Sequence, residues 1–205
     1  PDYTNQQITG MDVLGMTEEG AWLSPYILSR HDENNMFVGL NNVWRCMNVK
    51  HPIKDSLVWE KISNNLGGNN TWDMIALVQS RSDENVMWCS QGNARIFKCE
   101  NALEEEPAWI NLGSFLPLTS SPVVAIETHP TDPNILYIAY NNNVYRSEDA
   151  GFTWEDISSG IPPVSINTIV YDVNSDEGIY AGTDMGVFYK DASMDSFIDF
   201  GTGLP

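Results

Sequence analysis

The chain is poor in cysteine, poor in basic residues, and lacks any long apolar run. Its three cysteines, Cys46, Cys89 and Cys99, are too few and too odd in number for a disulfide-built scaffold, and their spacings match no zinc signature. Ten Lys and Arg stand against 28 Asp and Glu, for a net charge of -18. Such a surface repels phosphate backbones and anionic bilayers, so neither nucleic acid nor membrane is expected as a partner. No segment approaches the ~18 apolar residues of a membrane helix, so no membrane insertion is expected. The opening Pro1-Asp2-Tyr3-Thr4-Asn5 lacks a basic stretch followed by an apolar run, so no signal peptide is visible. The expectation is that a leader was removed or that the chain starts inside a longer protein, and that Gly201-Thr202-Gly203-Leu204-Pro205 interrupts a longer chain.

What the chain does have is core-forming material. Hydrophobic residues make up 42% and aromatics 11%, which opposes disorder in spite of the acidity.

Four segments align as internal repeats. Each opens with an apolar, β-branched run: 21–29, 72–80, 122–129 and 164–171. A turn follows, at Asp32-Glu33-Asn34, Asp83-Glu84-Asn85, Asp132-Pro133-Asn134 and Asp176-Glu177-Gly178, with the aspartates 51, 49 and 44 residues apart. Second strands are expected at 36–39, 87–90, 136–139 and 179–182, and third strands at 43–46, 96–99, 144–147 and 187–190. A fourth opens on an aromatic: Trp59, Trp109, Trp154 or Phe197.

Four strands in about 43 to 53 residues is the period of a propeller blade. The prediction is therefore an all-β chain, a β-propeller of four-stranded antiparallel blades. About four blades are expected, as a fragment of a larger propeller. Residues 1–20 would be an incoming segment that joins a neighbouring blade, and the blades would span 21–66, 67–117, 118–162 and 163–205, the last cut short before ring closure. Cys46 and Cys99 fall at equivalent positions. A turn centred on Gly92-Asn93 would pair Cys89 with Ile96 and Cys99 with Val86, placing the two sulfurs on opposite sheet faces as free thiols.

The stretch Ser147-Glu148-Asp149-Ala150-Gly151-Phe152-Thr153-Trp154 matches Ser-x-Asp-x-Gly-x-Thr-Trp at every specified position. Ser147 and Asp149 can satisfy turn amides, Gly151 permits a backbone closed to other residues, Thr153 completes the pattern and Trp154 covers the hairpin. The motif shapes the fold and does not by itself mark an active site. With Gly20–Tyr26, His129–Asn134 and Gly182–Met194, it makes the chain resemble the Asp-box (BNR-repeat, sortilin-like) propellers of large secreted Bacteroidetes proteins. The resemblance covers most of residues 18–205. It implies a secreted or cell-surface location and export by the type IX secretion system. The implied partners are a glycan, a cell-surface or secretion-system protein, and missing blades or domains of the same precursor.

Sialidases share the Asp-box but need three convergent arginines. Here Arg45 and Arg146 are repeat-equivalent, as are Arg30 and Arg81, which spreads them around the ring. Xyloglucanase-like glycosidases need paired carboxylates; Asp73, Glu127, Asp172 and Asp184 lie in or near strands, and nothing in the sequence pairs two of them. Asp172-Val173-Asn174-Ser175-Asp176 mimics the start of a calcium loop, but the glycine comes late and a hairpin turn accounts for it. His31, His51 and His129 are far apart. No catalytic residue, metal or cofactor is assigned. Trp22, Tyr26, Trp72 and Asp73, near one mouth of the channel, are the ligand-surface candidates, with core packing the competing role for both tryptophans. Two functions remain: a non-catalytic recognition or scaffolding propeller, or part of a polysaccharide-cleaving enzyme.

Overall fold

The computed structural model describes residues 15–18, 20–64, 66–68, 72–92, 94–117 and 121–201. They form four four-stranded antiparallel sheets, each a meander in chain order. The first contains β1 (Tyr26–Leu28), β2 (Met36–Gly39), β3 (Val43–Cys46) and β4 (Trp59–Lys61). The second contains β5 (Met74–Gln79), β6 (Met87–Gln91), β7 (Arg95–Cys99) and β8 (Trp109–Asn111). The third contains β9 (Val123–Thr128), β10 (Leu136–Tyr140), β11 (Asn143–Ser147) and β12 (Glu155–Asp156). The fourth contains β13 (Ile166–Asp172), β14 (Gly178–Thr183), β15 (Gly186–Lys190) and β16 (Ile198–Asp199).

Apolar residues on both faces of the middle strands force the sheets to stack. β2, β6 and β10 are buried at every position, as strands covered from both sides must be. Phe37 and Val43 of the first sheet pack on Leu77, Met87 and Cys89 of the second. Trp88 and Ile96 of the second pack on Ile126 and Ile138 of the third. Tyr137 and Val144 of the third pack on Ile169 and Ile179 of the fourth. The first strands β1, β5, β9 and β13 touch in succession, so the sheets radiate from an inner row of strands, the arrangement of propeller blades.

Register makes the repeat exact. Four cross-strand rows occupy the same place on the face each sheet turns toward its successor: Ile27–Phe37–Arg45–Glu60, Val78–Trp88–Lys98–Ile110, Glu127–Tyr137–Arg146–Glu155 and Val170–Tyr180–Tyr189–Ile198. The inner strands of the last three sheets also share a register shift near one end, beside Ile75, Val124 and Asn167. Such bulges re-aim a strand without ending its pairing.

The structure corrects three expectations. Gln91 pairs with Arg95, so the β6–β7 connection has three residues and not two, with Ala94 at φ 56. One extra residue moves every pair by one, and Cys89 faces Phe97 while Cys99 faces Met87. The two thiols therefore share a face, both free and buried between the first and second sheets. Burial, and then the neighbouring Cys99, pushes the Cys89 thiol well up.

The second correction concerns the turn after the inner strand. Ser29 Oγ accepts the amides of His31 and Asp32, Ser80 Oγ those of Ser82 and Asp83, and His129 Nδ1 those of Thr131 and Asp132. In the fourth sheet Asp172 holds this place, its Oδ1 accepting from Asn174 N and its carbonyl from Ser175 N. Asp172 is thus the capping residue, and Asp176 lies one position beyond Asp32, Asp83 and Asp132. The equivalence is of a backbone need, which Ser, His and Asp all meet by accepting hydrogen bonds.

Thirdly, the first inner strand is only Tyr26–Leu28, and Trp22 lies before it in a turn. Of the incoming segment, residues 1–14 and 19 lie outside the described residues. Met16 is buried with Met36, Val38, Trp44, Leu57 and Trp59 on the outer face of the first sheet. Glu18 accepts from Asn42 N, Asn42 Nδ2 and Trp44 Nε1.

Candidate functional site

Two regions hold the residues singled out by sequence: the loop 148–154 and the end of the sheets where the inner strands begin, the expected mouth.

The loop joins β11 to β12. Ser147 Oγ accepts from Gly151 N at 2.8 Å and donates to Asp149 Oδ1 at 2.9 Å. Asp149 accepts from Phe152 N at 3.1 Å, Thr153 N at 2.7 Å and Thr153 Oγ1 at 2.7 Å. Gly151 has φ 98, in the left-handed region, where a side chain is strained. A Cβ there would also stand 3.1 Å from Leu112 of the preceding sheet. Phe152 meets Phe115 edge to face at 5.1 Å, and half-buried Trp154 packs on the core between the second and third sheets. The loop therefore closes its own hairpin and fastens the third sheet to the second. The first function was legible in the motif. The second needs the neighbouring sheet.

Burial raises the Asp149 carboxyl, but hydrogen bonds from the Thr153 side chain and amide, Ser147 and Phe152 outweigh it and hold the pKa below the ordinary carboxylate value. A depressed folded pKa stabilises above the unfolded value and loses that contribution as pH falls through the folded one. Asp149→Ala is expected to cost about 1–2 kcal/mol at neutral pH, the scale of a lost capping carboxylate. Urea titrations should show the gap from the parent chain narrowing below about pH 4. A gap independent of pH would refute the charged-acceptor role.

The mouth is built by the segments that precede the inner strands and by the β2–β3-type turns. Trp22 and Leu23 form the tip of a turn whose Ser24 Oγ donates to Ala21 O. Trp22 is 99% exposed, so the competing core role does not hold for it. Tyr26 is also exposed, as the first residue of β1. Trp72 is half-buried: its ring lies against Gly92, with the Arg95 guanidinium 5.7 Å from its centroid. The fully buried Gln91 donates through Nε2 to Asn41 O at 2.7 Å and Trp72 O at 3.1 Å, tying two sheets together. Gln91 Oε1 and Trp72 Nε1 make no hydrogen bond among the described residues. Asp73 is exposed. Trp72 and Asp73 thus sit with Gln91 and Arg95 on the second sheet, while Trp22 and Tyr26 belong to the first. Asn41, Asn42, Asn141 and Asn142 fill the turns at this end, and Asn167 Nδ2 donates to Asp184 Oδ1. Sequence reasoning passed over these amides. Their signal was the recurrence of Asn at one repeat position.

A groove of about 510 Å³ between the third and fourth sheets was also missed. Arg146 crosses it, paired with Glu148 and Glu177 and donating to the Tyr137 hydroxyl. Burial pushes the Tyr137 phenol well above the ordinary tyrosine value. Sequence located Arg146 by its repeat position, but Glu177 comes from the next sheet.

No family model and no curated protein matches the chain. Solved structures do. The GH74 xyloglucanase from Xanthomonas campestris superposes with a TM-score of 0.67 at 14% identity, over 92% of this chain and 31% of that one. The extracellular domain of a one-component-system protein from B. thetaiotaomicron gives 0.57 at 14%, over 80% and 21%. The β-propeller domain of Myceliophteria thermophila Swd1 gives 0.56 at 9%, over 82% and 55%. The chain thus spans about a third or less of the first two. At such identities the likeness establishes the fold alone: the four sheets are blades of a β-propeller.

Proposed function

We propose that this chain is a non-catalytic recognition propeller of a secreted or cell-surface protein, and that the mouth carrying Trp22, Tyr26, Trp72 and Asp73 binds a glycan. The observation that carries the reading is Trp22, an indole held almost wholly in solvent beside exposed Leu23 and Tyr26. Exposed aromatics grouped at one site mark recognition surfaces, and the flat faces of sugar rings stack on them. The asparagine-rich turns supply amide donors and acceptors for hydroxyls. Resemblance to Asp-box, sortilin-like propellers of type IX-secreted Bacteroidetes proteins supports the extracellular setting. So do a xyloglucanase and an extracellular domain among the similar structures.

Calorimetry against xyloglucan and a panel of unrelated polysaccharides tests it. Trp22→Ala is expected to weaken binding about tenfold while leaving the unfolding midpoint unchanged. Binding unaffected by Trp22→Ala would sink the site. Binding only to a protein ligand would sink the glycan.

A second reading, part of a glycoside hydrolase, is favoured by the GH74 likeness. It requires two carboxylates of opposite protonation state across a bound sugar. Reducing-end release from xyloglucan, abolished by Asp73→Asn, would replace the binding-only reading.

A further inference from the structure

Carboxylates neutralise most of the partly buried cations of this acidic chain. Arg45 pairs with Glu60, Arg81 with Glu127, Lys98 with Glu100, and Arg146 with Glu148 and Glu177. Arg95 differs. It is half-buried and forms no ion pair among the described residues. Its guanidinium is nevertheless held in place. It lies 5.7 Å from the Trp72 ring centroid, and Nη1 donates to Leu66 O at 3.4 Å. A guanidinium carries five N–H donors in a planar fork that suits a two-oxygen acceptor. The one long bond to Leu66 O leaves most of that fork without a protein acceptor among the described residues.

Arg95 lines a groove of about 460 Å³ between the second sheet and the chain that leads into it from the first. Small-ligand sites span roughly 300–1,000 Å³. The described lining includes Asn64, Trp109 and Asn111 and holds no Asp or Glu, whereas the groove crossed by Arg146 holds Glu148, Glu155, Asp156 and Glu177 among others. Trp109 is half-buried, and its Nε1 donates to Ile62 O at 2.7 Å, which fixes the ring. Asn111 Oδ1 accepts from Gly113 N at 2.8 Å, leaving its Nδ2 as a donor.

We propose that this groove binds the carboxylate of an acidic sugar, a uronate unit, with Arg95 pairing the carboxylate and the Trp109 indole stacking on the ring. Arg95 also touches Trp72, so the groove continues the mouth. The inference therefore rests on the glycan reading and narrows it to an acidic glycan. The net charge of -18 does not oppose this, because exposed charges more than about 8–10 Å away are screened at physiological salt, and the nearby lining is free of acid. An acidic peptide would meet Arg95 equally well. The indole wall and the amides of Asn64 and Asn111 favour a ring bearing hydroxyls.

Calorimetry of the 205-residue chain against tri-galacturonate, its methyl ester and triglutamate tests the proposal. Tri-galacturonate should bind about tenfold more tightly than the ester, whose carboxyl groups carry no charge. Arg95→Gln should weaken tri-galacturonate binding to the level of the ester and leave ester binding unchanged. Arg95→Lys keeps the cation beside Trp72 and loses the fork, so it should retain part of the preference for the acid even where Arg95→Gln disturbs the fold. Equal affinity for acid and ester, or a preference that survives Arg95→Gln, overturns this inference and leaves the glycan reading standing. Triglutamate bound as tightly as tri-galacturonate overturns it in favour of an acidic peptide. Failure of tri-galacturonate to bind also overturns it, and binding of xyloglucan or another neutral polysaccharide still decides the glycan reading.

Discussion

Replacing Trp88 by alanine is expected to cost about 3–5 kcal/mol of unfolding free energy, the range for emptying a large aromatic site in a packed core. Trp88 is fully buried at the centre of the junction between the second and third blades. The Lys98 ammonium stands 5.8 Å from its ring centroid. Its neighbours sit on two separate sheets, so the cavity cannot close without moving a whole blade. Trp88→Phe should cost far less, because Trp88 Nε1 makes no hydrogen bond among the described residues and only volume is lost. Urea unfolding followed by circular dichroism separates the two. A Trp88→Ala loss below about 1 kcal/mol would mean that the blades do not pack as described.

Gly160→Ala should be nearly as damaging, at about 3 kcal/mol, the upper end for a residue forced into an unfavourable backbone region. The linker leaving the third blade turns at Gly160 with φ 94. A Cβ there would stand 2.1 Å from the carbonyl oxygen and 2.9 Å from the amide nitrogen of Phe197. Those are backbone atoms of the next blade, and Phe197 N donates to Ser159 O at 2.7 Å. The clash cannot be relieved by a rotamer change. Gly186 is the control. It has φ 137 with nothing within 4 Å of its Cβ position, so Gly186→Ala should cost the conformational penalty alone, about 1–2 kcal/mol. Equal losses at the two positions would show that the approach to Phe197 is not tight.

Most of the fold was legible because its signals are local. A strand needs a short apolar run, a turn needs residues that cap or bend, and both recur at a fixed period. The errors came where one residue of loop length decides a face. The three-residue connection before Arg95 put Cys89 and Cys99 on one face, and Asp176 was aligned in place of Asp172 because the serines, histidine and aspartate that cap this turn look unlike in sequence. The candidate site was less legible. Trp22 and Trp72 align in the repeat, yet one stands in solvent and the other lies against Gly92. The difference lies in neighbours distant in the chain. Asp149 accepts hydrogen bonds from within its own turn, a local arrangement, while its loop's grip on Leu112 and Phe115 could not be read from the motif.

By itself the sequence determined the strands, their meander order, the blade period and the loop that closes the third hairpin. Each depends on residues within a few positions of one another, where backbone sterics and side-chain capping act. Only the tertiary structure decided which faces are sealed, which cations bridge blades and that Trp22 is free in solvent. Those follow from apolar burial between sheets some 40 to 50 residues apart in the chain, an interaction that has no range in sequence and only contact in space.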